Sequence, residues 1–350
     1  MTIGEALKKY YKIETELFLS HVLRKSKEFV FIHLEKSLSA DQLISLSALA
    51  RRRMRGEPMA YILGYKDFYG LRFEVNRNVL VPRPETEMAV DLVLAKLRSP
   101  SPFNGEGARR AGEVKYKDLT SLSAFGRHLP IKWGECSADD LESAPIKILD
   151  LGTGSGNIIV SLAKSLSPSP SPSPSGRGKP QVPPPLEGRL EPAPGSTRGG
   201  GVFEFYASDI SKKALAVARH NAKKHRVKIK FIHSDILKNA RMNFDVIIAN
   251  LPYGWKGWEN ESSMETIGLK FEPKQALFTK EKGLMAIRRL LEQIAGLKQK
   301  PKFVFLEFDP RQKLPLAKLI KKSLPKSKIK YHKDYTNLWR YAEIGVLNLY

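Results

Sequence analysis

Cysteine is nearly absent: Cys136 is the single one in 350 residues. That excludes an intramolecular disulfide framework and a cysteine-rich zinc site. No apolar run reaches the ~18 residues a membrane span requires, so none is expected. The opening residues Met1-Thr2-Ile3-Gly4-Glu5 carry charge and no apolar h-region, so no signal peptide is read there and a cytoplasmic location is expected. Acidic residues are in deficit, 36 against 59 Lys and Arg, for a formal net charge of +23. Net +11 of this lies between Lys280 and Tyr350, with a dense run at Lys321, Lys322, Lys326, Lys328 and Lys330. Such a basic region contacts RNA or a ribosome-associated factor, or it only keeps the protein soluble; charge bears on partners and not on reaction type. His21, His33, His220, His225, His233 and His332 show no paired spacing with carboxylates, so no metal site is expected.

What is present is enough apolar material, 42% of the chain, for a sizeable core. Two stretches fall outside that pattern, 99–145 and 165–201. Each carries Ser-Pro alternation and glycine, as in Ser99-Pro100-Ser101-Pro102 and Ser167-Pro168-Ser169-Pro170. Proline at this frequency blocks helix and removes ladder donors, so both are read as low-complexity inserts. Residues 1–60 read as a helical domain. Within it Ser39-Ala40-Asp41-Gln42 has the form of a capping box, and Arg51, Arg52, Arg53 and Arg55 crowd the last turn. Residues 61–98 read as a linker: a hairpin from Tyr61 to Val75 around Gly64 and Gly70, then a helix Glu85–Leu97 whose start Glu85 and Glu87 favour electrostatically.

From residue 146 to 350 the pattern alternates strand and helix. Strands are expected at Ile146–Leu151, Glu204–Ser208, Ile229–His233, Phe244–Ala249 and Phe303–Phe308. Helices are expected at Asn157–Lys164, Lys212–His225, Lys282–Leu297 and Leu314–Ser323. This is an α/β, Rossmann-like domain with a mostly parallel sheet, and ligands bind beyond the carboxyl ends of such strands.

The first of these strands runs into Asp150-Leu151-Gly152-Thr153-Gly154-Ser155-Gly156. Alternate glycines let the backbone turn tightly and approach a bulky ligand, and a dinucleotide would also fit such a loop. Three features favour S-adenosylmethionine. The spacing is D-x-G-x-G-x-G; Asp209 ends the next strand, where a carboxylate can accept from both ribose hydroxyls; and Asp235-Ile236 follow the third strand, where Asp235 can meet the adenine amino group. The plainer reading of Asp209 is a turn that starts the following helix through Ser211.

The fourth strand delivers Asn250-Leu251-Pro252-Tyr253. This resembles the N-P-P-Y signature of methyltransferases that act on planar NH2 groups. The Asn250 side-chain carbonyl and the Leu251 backbone carbonyl can each accept an N–H, orienting a delocalised and poorly nucleophilic nitrogen, and Tyr253 can pack on the flat group. Leu251 stands where the glutamine-modifying enzymes usually carry proline, which keeps the carbonyl and loses the preset φ. N-L-P-Y is also the form of ribosomal RNA adenine dimethyltransferases, the alternative reading. A binding protein with a relic cofactor fold is a third.

The remaining motifs separate these. Arg52-Arg53-Met54-Arg55-Gly56-Glu57-Pro58-Met59-Ala60-Tyr61-Ile62-Leu63-Gly64, Val81-Pro82-Arg83-Pro84-Glu85-Thr86-Glu87 and Phe271-Glu272-Pro273-Lys274-Gln275-Ala276-Leu277 resemble, in order, three elements of the release factor glutamine methyltransferases (HemK/PrmC family). The RNA enzymes place their helical domain last, whereas here it comes first. The resemblance implies a class I S-adenosylmethionine-dependent methyltransferase fold with a seven-stranded, mostly parallel sheet and a small N-terminal helical domain. It further implies methyl transfer to the glutamine of the Gly-Gly-Gln motif in class I peptide chain release factors, with residues 1–60 contacting the factor. Trp255 and Trp258 flank the catalytic loop, and Glu307 on the fifth strand reads as structural.

Overall fold

The computed structural model describes residues 1–10, 14–98, 145–166, 203–240, 242–255, 257 and 267–346. Most of both Ser/Pro-rich stretches, together with Cys136 and Trp258, lies outside these.

Five short helices open the chain: α1 (Ile3–Lys9), α2 (Thr15–Leu23), α3 (Lys27–Ile32), α4 (Ala40–Met54) and α5 (Met59–Leu63). The expected capping box forms at α4: Ser39 accepts the Gln42 N–H, and the Gln42 side chain accepts the Ser39 N–H. This satisfies two of the four N–H groups a helix start leaves unpaired. These helices share a buried apolar cluster that includes Ile3, Phe18, Leu19, Val30 and Leu46.

The hairpin begins later than the sequence suggests. Tyr61–Leu63 belongs to α5, which Gly64 ends at φ +82, and the strands are β1 (Tyr65–Phe68) and β2 (Leu71–Glu74). Tyr69 and Gly70 both take positive φ in the two-residue turn, the geometry that matches strand twist. A single 3-10 turn, Pro84–Thr86, precedes α6 (Glu87–Arg98).

The main sheet has seven strands in the order β5-β4-β3-β6-β7-β9-β8. These are β3 (Ile146–Leu151), β4 (Phe203–Asp209), β5 (Lys230–His233), β6 (Val246–Ala249), β7 (Phe303–Glu307), β8 (Lys328–Lys333) and β9 (Trp339–Gly345). The first five are parallel and the last two antiparallel. Helices α7 (Asn157–Leu166), α8 (Lys212–Lys224), α9 (Lys274–Leu277), α10 (Met285–Ala295) and α11 (Lys313–Ser323) complete the domain. Alternate residues of each central strand feed different cores. Ile148, Val246, Ile248 and Phe305 pack with α6 and α7, while Leu149, Ile247, Val304 and Leu306 pack with α10 and α11.

Departures from expectation have local causes. α10 starts at Met285 rather than Lys282 because Glu281, Lys282 and Gly283 all take positive φ. β6 starts at Val246; Asp245 just before it accepts the Lys147 N–H with its side chain. α7 continues through Leu166, into the start of the second Ser/Pro-rich stretch. β8 and β9 were not anticipated; Lys328 and Lys330 sit exposed on β8, an edge strand. Among the described residues no helix is long and apolar enough to cross a membrane.

Asn221, fully buried in α8, stitches the hairpin to the glycine loop. It accepts the Glu74 N–H at 2.8 Å and donates to Glu74 O at 3.0 Å and Ser155 O at 2.9 Å. Asn221→Ala is expected to cost about 2–4 kcal/mol, since it removes three hydrogen bonds of a buried side chain and strands their backbone partners. Chemical denaturation measures this; a loss below about 0.5 kcal/mol would mean the contacts are not stabilising.

Candidate active site

Strand order reverses between β3 and β6, because the chain proceeds outward from β3 through β4 and β5, and then from β6 through β7. Ligands of open α/β sheets bind at such a point. Parallel register pairs Leu151 with Ala249, so Gly152 and Asn250 leave adjacent strands side by side. A cavity of about 290 Å³ lies there, lined among others by Gly152, Gly154, Asp209, Asp235, Asn250 and Pro252.

The glycine loop is pinned from below. Gly152 N and Thr153 N both donate to Ser208 O, at 2.8 and 2.9 Å. Gly152 takes φ +73, and a Cβ there would meet the Leu251 side chain at 3.3 Å. Gly154, at φ +56, would direct a Cβ into open space, so the backbone is bare toward the cavity. Gly156 does not line the cavity. It takes φ +80 and its Cα face lies against Ala218, where a Cβ would come within 3.2 Å, so it lets α7 pack on α8. Thr153 and Ser155 do line it.

Asp150 sits behind the loop, buried. Thr153 Oγ1 donates to its Oδ2 at 2.6 Å, and its Oδ1 has no protein partner. Burial, reinforced by the Asp209 charge and opposed by the Thr153 hydroxyl, pushes the Asp150 carboxyl up to about 7. Asp209 combines both sequence readings. Its Oδ1 accepts the Ser211 N–H at 2.8 Å, forming a turn, and Ser211 Oγ caps α8 through Ala214 N. Its Oδ2 accepts Gly154 N at 3.0 Å. Each oxygen keeps acceptor capacity for a hydroxyl at the cavity. Burial raises its carboxyl as well.

Asp235 lines the cavity beside a cation that the sequence alone does not suggest. Arg289 of α10, itself a lining residue, donates to its Oδ2 at 2.5 Å. Nothing in the sequence signals that pair. Ile236 follows at φ +56, a costly value for a β-branched residue, so the fold holds this turn in place.

The Asn250–Tyr253 segment is clamped. Gln312 Nε2 donates to Tyr253 O at 2.9 Å, and Gly283 approaches that carbonyl so closely that a Cβ would clash at 1.9 Å. Leu251 is buried in the apolar core, so its side chain fixes the loop by packing where a proline would fix it by ring geometry. Tyr253 does not line the cavity; its hydroxyl donates to Glu307 Oε1 at 3.0 Å, and burial raises it well above the usual phenol range. Asn250 Nδ2 donates to Thr86 Oγ1 at 3.2 Å. Trp255 has Arg311 over its ring at 4.5 Å.

The flanking motifs interlock. Glu272, buried, accepts Val81 N at 2.9 Å and Arg83 at 2.6 Å, joining the F-E-P element to the P-R-P element. Glu57, also buried, accepts Arg52 and Arg77; these cations hold its carboxyl down at about 2. Among the described residues no group of His, Cys, Asp and Glu could hold a metal ion.

Two family models match this chain: a PrmC N-terminal domain over residues 5–64 and a methyltransferase small domain over residues 199–267. The release factor glutamine methyltransferase of Pasteurella multocida is 29% identical over 298 residues, covering 84% of this chain and 78% of that protein. The chain is thus similar to release factor glutamine methyltransferases over about four-fifths of its length. The counterpart from Coxiella burnetii is 28% identical over 284 residues, covering 81% of this chain and 73% of it. A bifunctional methyltransferase of Rickettsia felis is 32% identical over 284 residues, covering 80% of this chain but 44% of that protein. The chain thus spans less than half the length of such bifunctional relatives. The seven-stranded sheet, five strands parallel, has the architecture of the class I methyltransferase fold that the resemblance implies, and S-adenosylmethionine is the cofactor that goes with it. The site fits that group: a bare glycine backbone at the cavity and acceptor capacity on Asp209 for ribose hydroxyls.

The raised Asp150 carboxyl has a sign. Its folded value lies above the ordinary aspartate value, so its ionised form weakens the fold, and this cost grows from about pH 4 to about pH 7. Relative to Asp150→Asn, the wild type without cofactor is therefore expected to gain thermal stability as pH falls from about 7 to about 5. Paired melting curves across that range check it; a constant difference would refute the burial argument.

Proposed function

We propose that this chain methylates the side-chain amide of glutamine in the Gly-Gly-Gln motif of class I peptide chain release factors. The observation that carries this is the placement of Asn250. Its Nδ2 is engaged by Thr86 at 3.2 Å, which leaves Oδ1 as a fixed acceptor where β6 meets the cavity, beside the glycine loop. A glutamine amide presents two N–H groups. One donates to Asn250 Oδ1 and the other to the Leu251 carbonyl, so the nitrogen is oriented and its developing positive charge is stabilised. When bound, S-adenosylmethionine supplies an electrophilic methyl group, held by the Gly152–Ser155 backbone, Asp209, and the Asp235–Ile236 turn. Asp150 and Gly156 support that surface from behind. No strong base is required, because the nitrogen becomes acidic as it is alkylated. Pro252 stiffens the turn, and Tyr253 anchors it through its hydroxyl.

In this reading residues 1–60 recognise the factor, 61–98 link, and 146–350 catalyse. The exposed lysines of α11 and β8, including Lys318, Lys321, Lys322, Lys328 and Lys330, support a weak additional contact with RNA or the ribosome. The same loop could serve an adenine amino group in RNA, but the Glu272 and Glu57 interlocks belong to the motifs shared with the glutamine enzymes.

Transfer of labelled methyl to a purified release factor, its Gly-Gly-Ala variant and ribosomal RNA tests this. Label is expected on the wild-type factor alone. Asn250→Ala should lower kcat by about 100-fold or more, and Leu251→Pro should stay within about 3-fold of wild type. Label on RNA in place of the factor would overturn the assignment. Deleting residues 1–60 should abolish factor methylation while cofactor binding persists.

A further inference from the structure

Behind Asn250 lies a buried polar chain that the chemistry above does not use directly. Thr86, from the P-R-P-E-T-E segment, is 2% exposed and donates its hydroxyl to Glu307 Oε2 at 2.8 Å. Glu307 ends β7, is 1% exposed, and also accepts the Tyr253 hydroxyl at 3.0 Å and the Tyr341 hydroxyl at 2.5 Å. Three hydroxyls therefore converge on one buried carboxylate, two of them on the same oxygen. The two key residues are 221 positions apart in the chain.

The direction of these bonds matters more than their number. An ionised carboxylate only accepts, so each hydroxyl must spend its single proton on it. Thr86 Oγ1 then has lone pairs left and no proton, and toward Asn250 it can only accept. The Asn250 amide must therefore turn its NH2 to Thr86 and its carbonyl away. With the amide turned over, the cavity would meet two donors in place of an acceptor, and a substrate N–H would have nothing to bind. Asn and Gln amides differ little in shape between the two orientations, so only hydrogen bonding selects one.

We infer that Thr86, with Glu307 behind it, is a positioning residue that sets the orientation of the Asn250 amide. The inference rests on the proposed reading of Asn250 as acceptor for the substrate amide. Burial raises the Glu307 carboxyl and the three hydroxyls oppose that rise; it is the geometry of three donors converging on its two oxygens that marks it as the acceptor of the chain.

The test uses the full chain with Thr86→Val, Thr86→Ser and Asn250→Ala. Thr86→Val keeps shape and removes the hydroxyl, and should lower kcat on the release factor by about 10–100-fold. Cofactor Kd by calorimetry should stay within about 2-fold, since Thr86 orients the acceptor and not the methyl donor. Thr86→Ser should restore kcat to within about 3-fold of wild type. The side-chain NH2 resonances of Asn250, assigned by nitrogen-15 NMR through Asn250→Ala, should move in Thr86→Val and return in Thr86→Ser. That readout stands whether or not the factor is the substrate. Wild-type kcat in Thr86→Val, or equal losses in the Val and Ser variants, would overturn the positioning role while leaving Asn250 intact. Full activity in Asn250→Ala would overturn the reading of the site itself, and the positioning role with it.

Discussion

The pairing of β3 with β6 is the constraint on which the rest depends. Register places Leu151 opposite Ala249, and whatever follows those two residues is obliged to emerge together. A one-residue slip would turn every core side chain of β6 to the wrong face. The fold therefore protects this register heavily: all four residues of β6 are buried, and both sheet faces are covered by helices. Catalytic geometry and core packing are here the same requirement.

Around that pair, buried carboxylates do the joining. Glu272 ties the segment after the catalytic loop to Val81 and Arg83, Glu57 ties the end of the helical region to Arg77, and Glu307 ties β7 to the turn before α6. A buried carboxylate missing one partner is costly, so each tie tolerates little drift in the segments it joins. Motifs that look unrelated along the chain are halves of single contacts.

Much of this was legible in the sequence, and the failures are instructive. β3 was readable to the residue because a short apolar run met a glycine loop, and α4 because its capping box is purely local. β8 and β9 were not, since lysine at alternate positions reads as a charge run and hides a strand whose other face is half buried. Asp209 and Asp235 both line the cavity, where the ends of their strands put them, yet nothing local in the sequence shows that Arg289 pairs with Asp235. Glu307 could be placed on its strand but not given its work. No local pattern reports a hydrogen bond between residues so far apart in sequence, and nothing within P-R-P-E-T-E marks Thr86 as the partner of Glu307.

The two Ser/Pro-rich stretches take on a different meaning from where they enter. One falls between α6 and β3, the other between α7 and β4, so both join the sheet at the amino ends of parallel strands. The cavity opens at the carboxyl ends, the opposite rim. Both points of entry lie away from the glycine loop and Asn250, so length added at them need not displace either. The sheet separates a rim where one atom matters from a rim at which dozens of additional residues enter the chain.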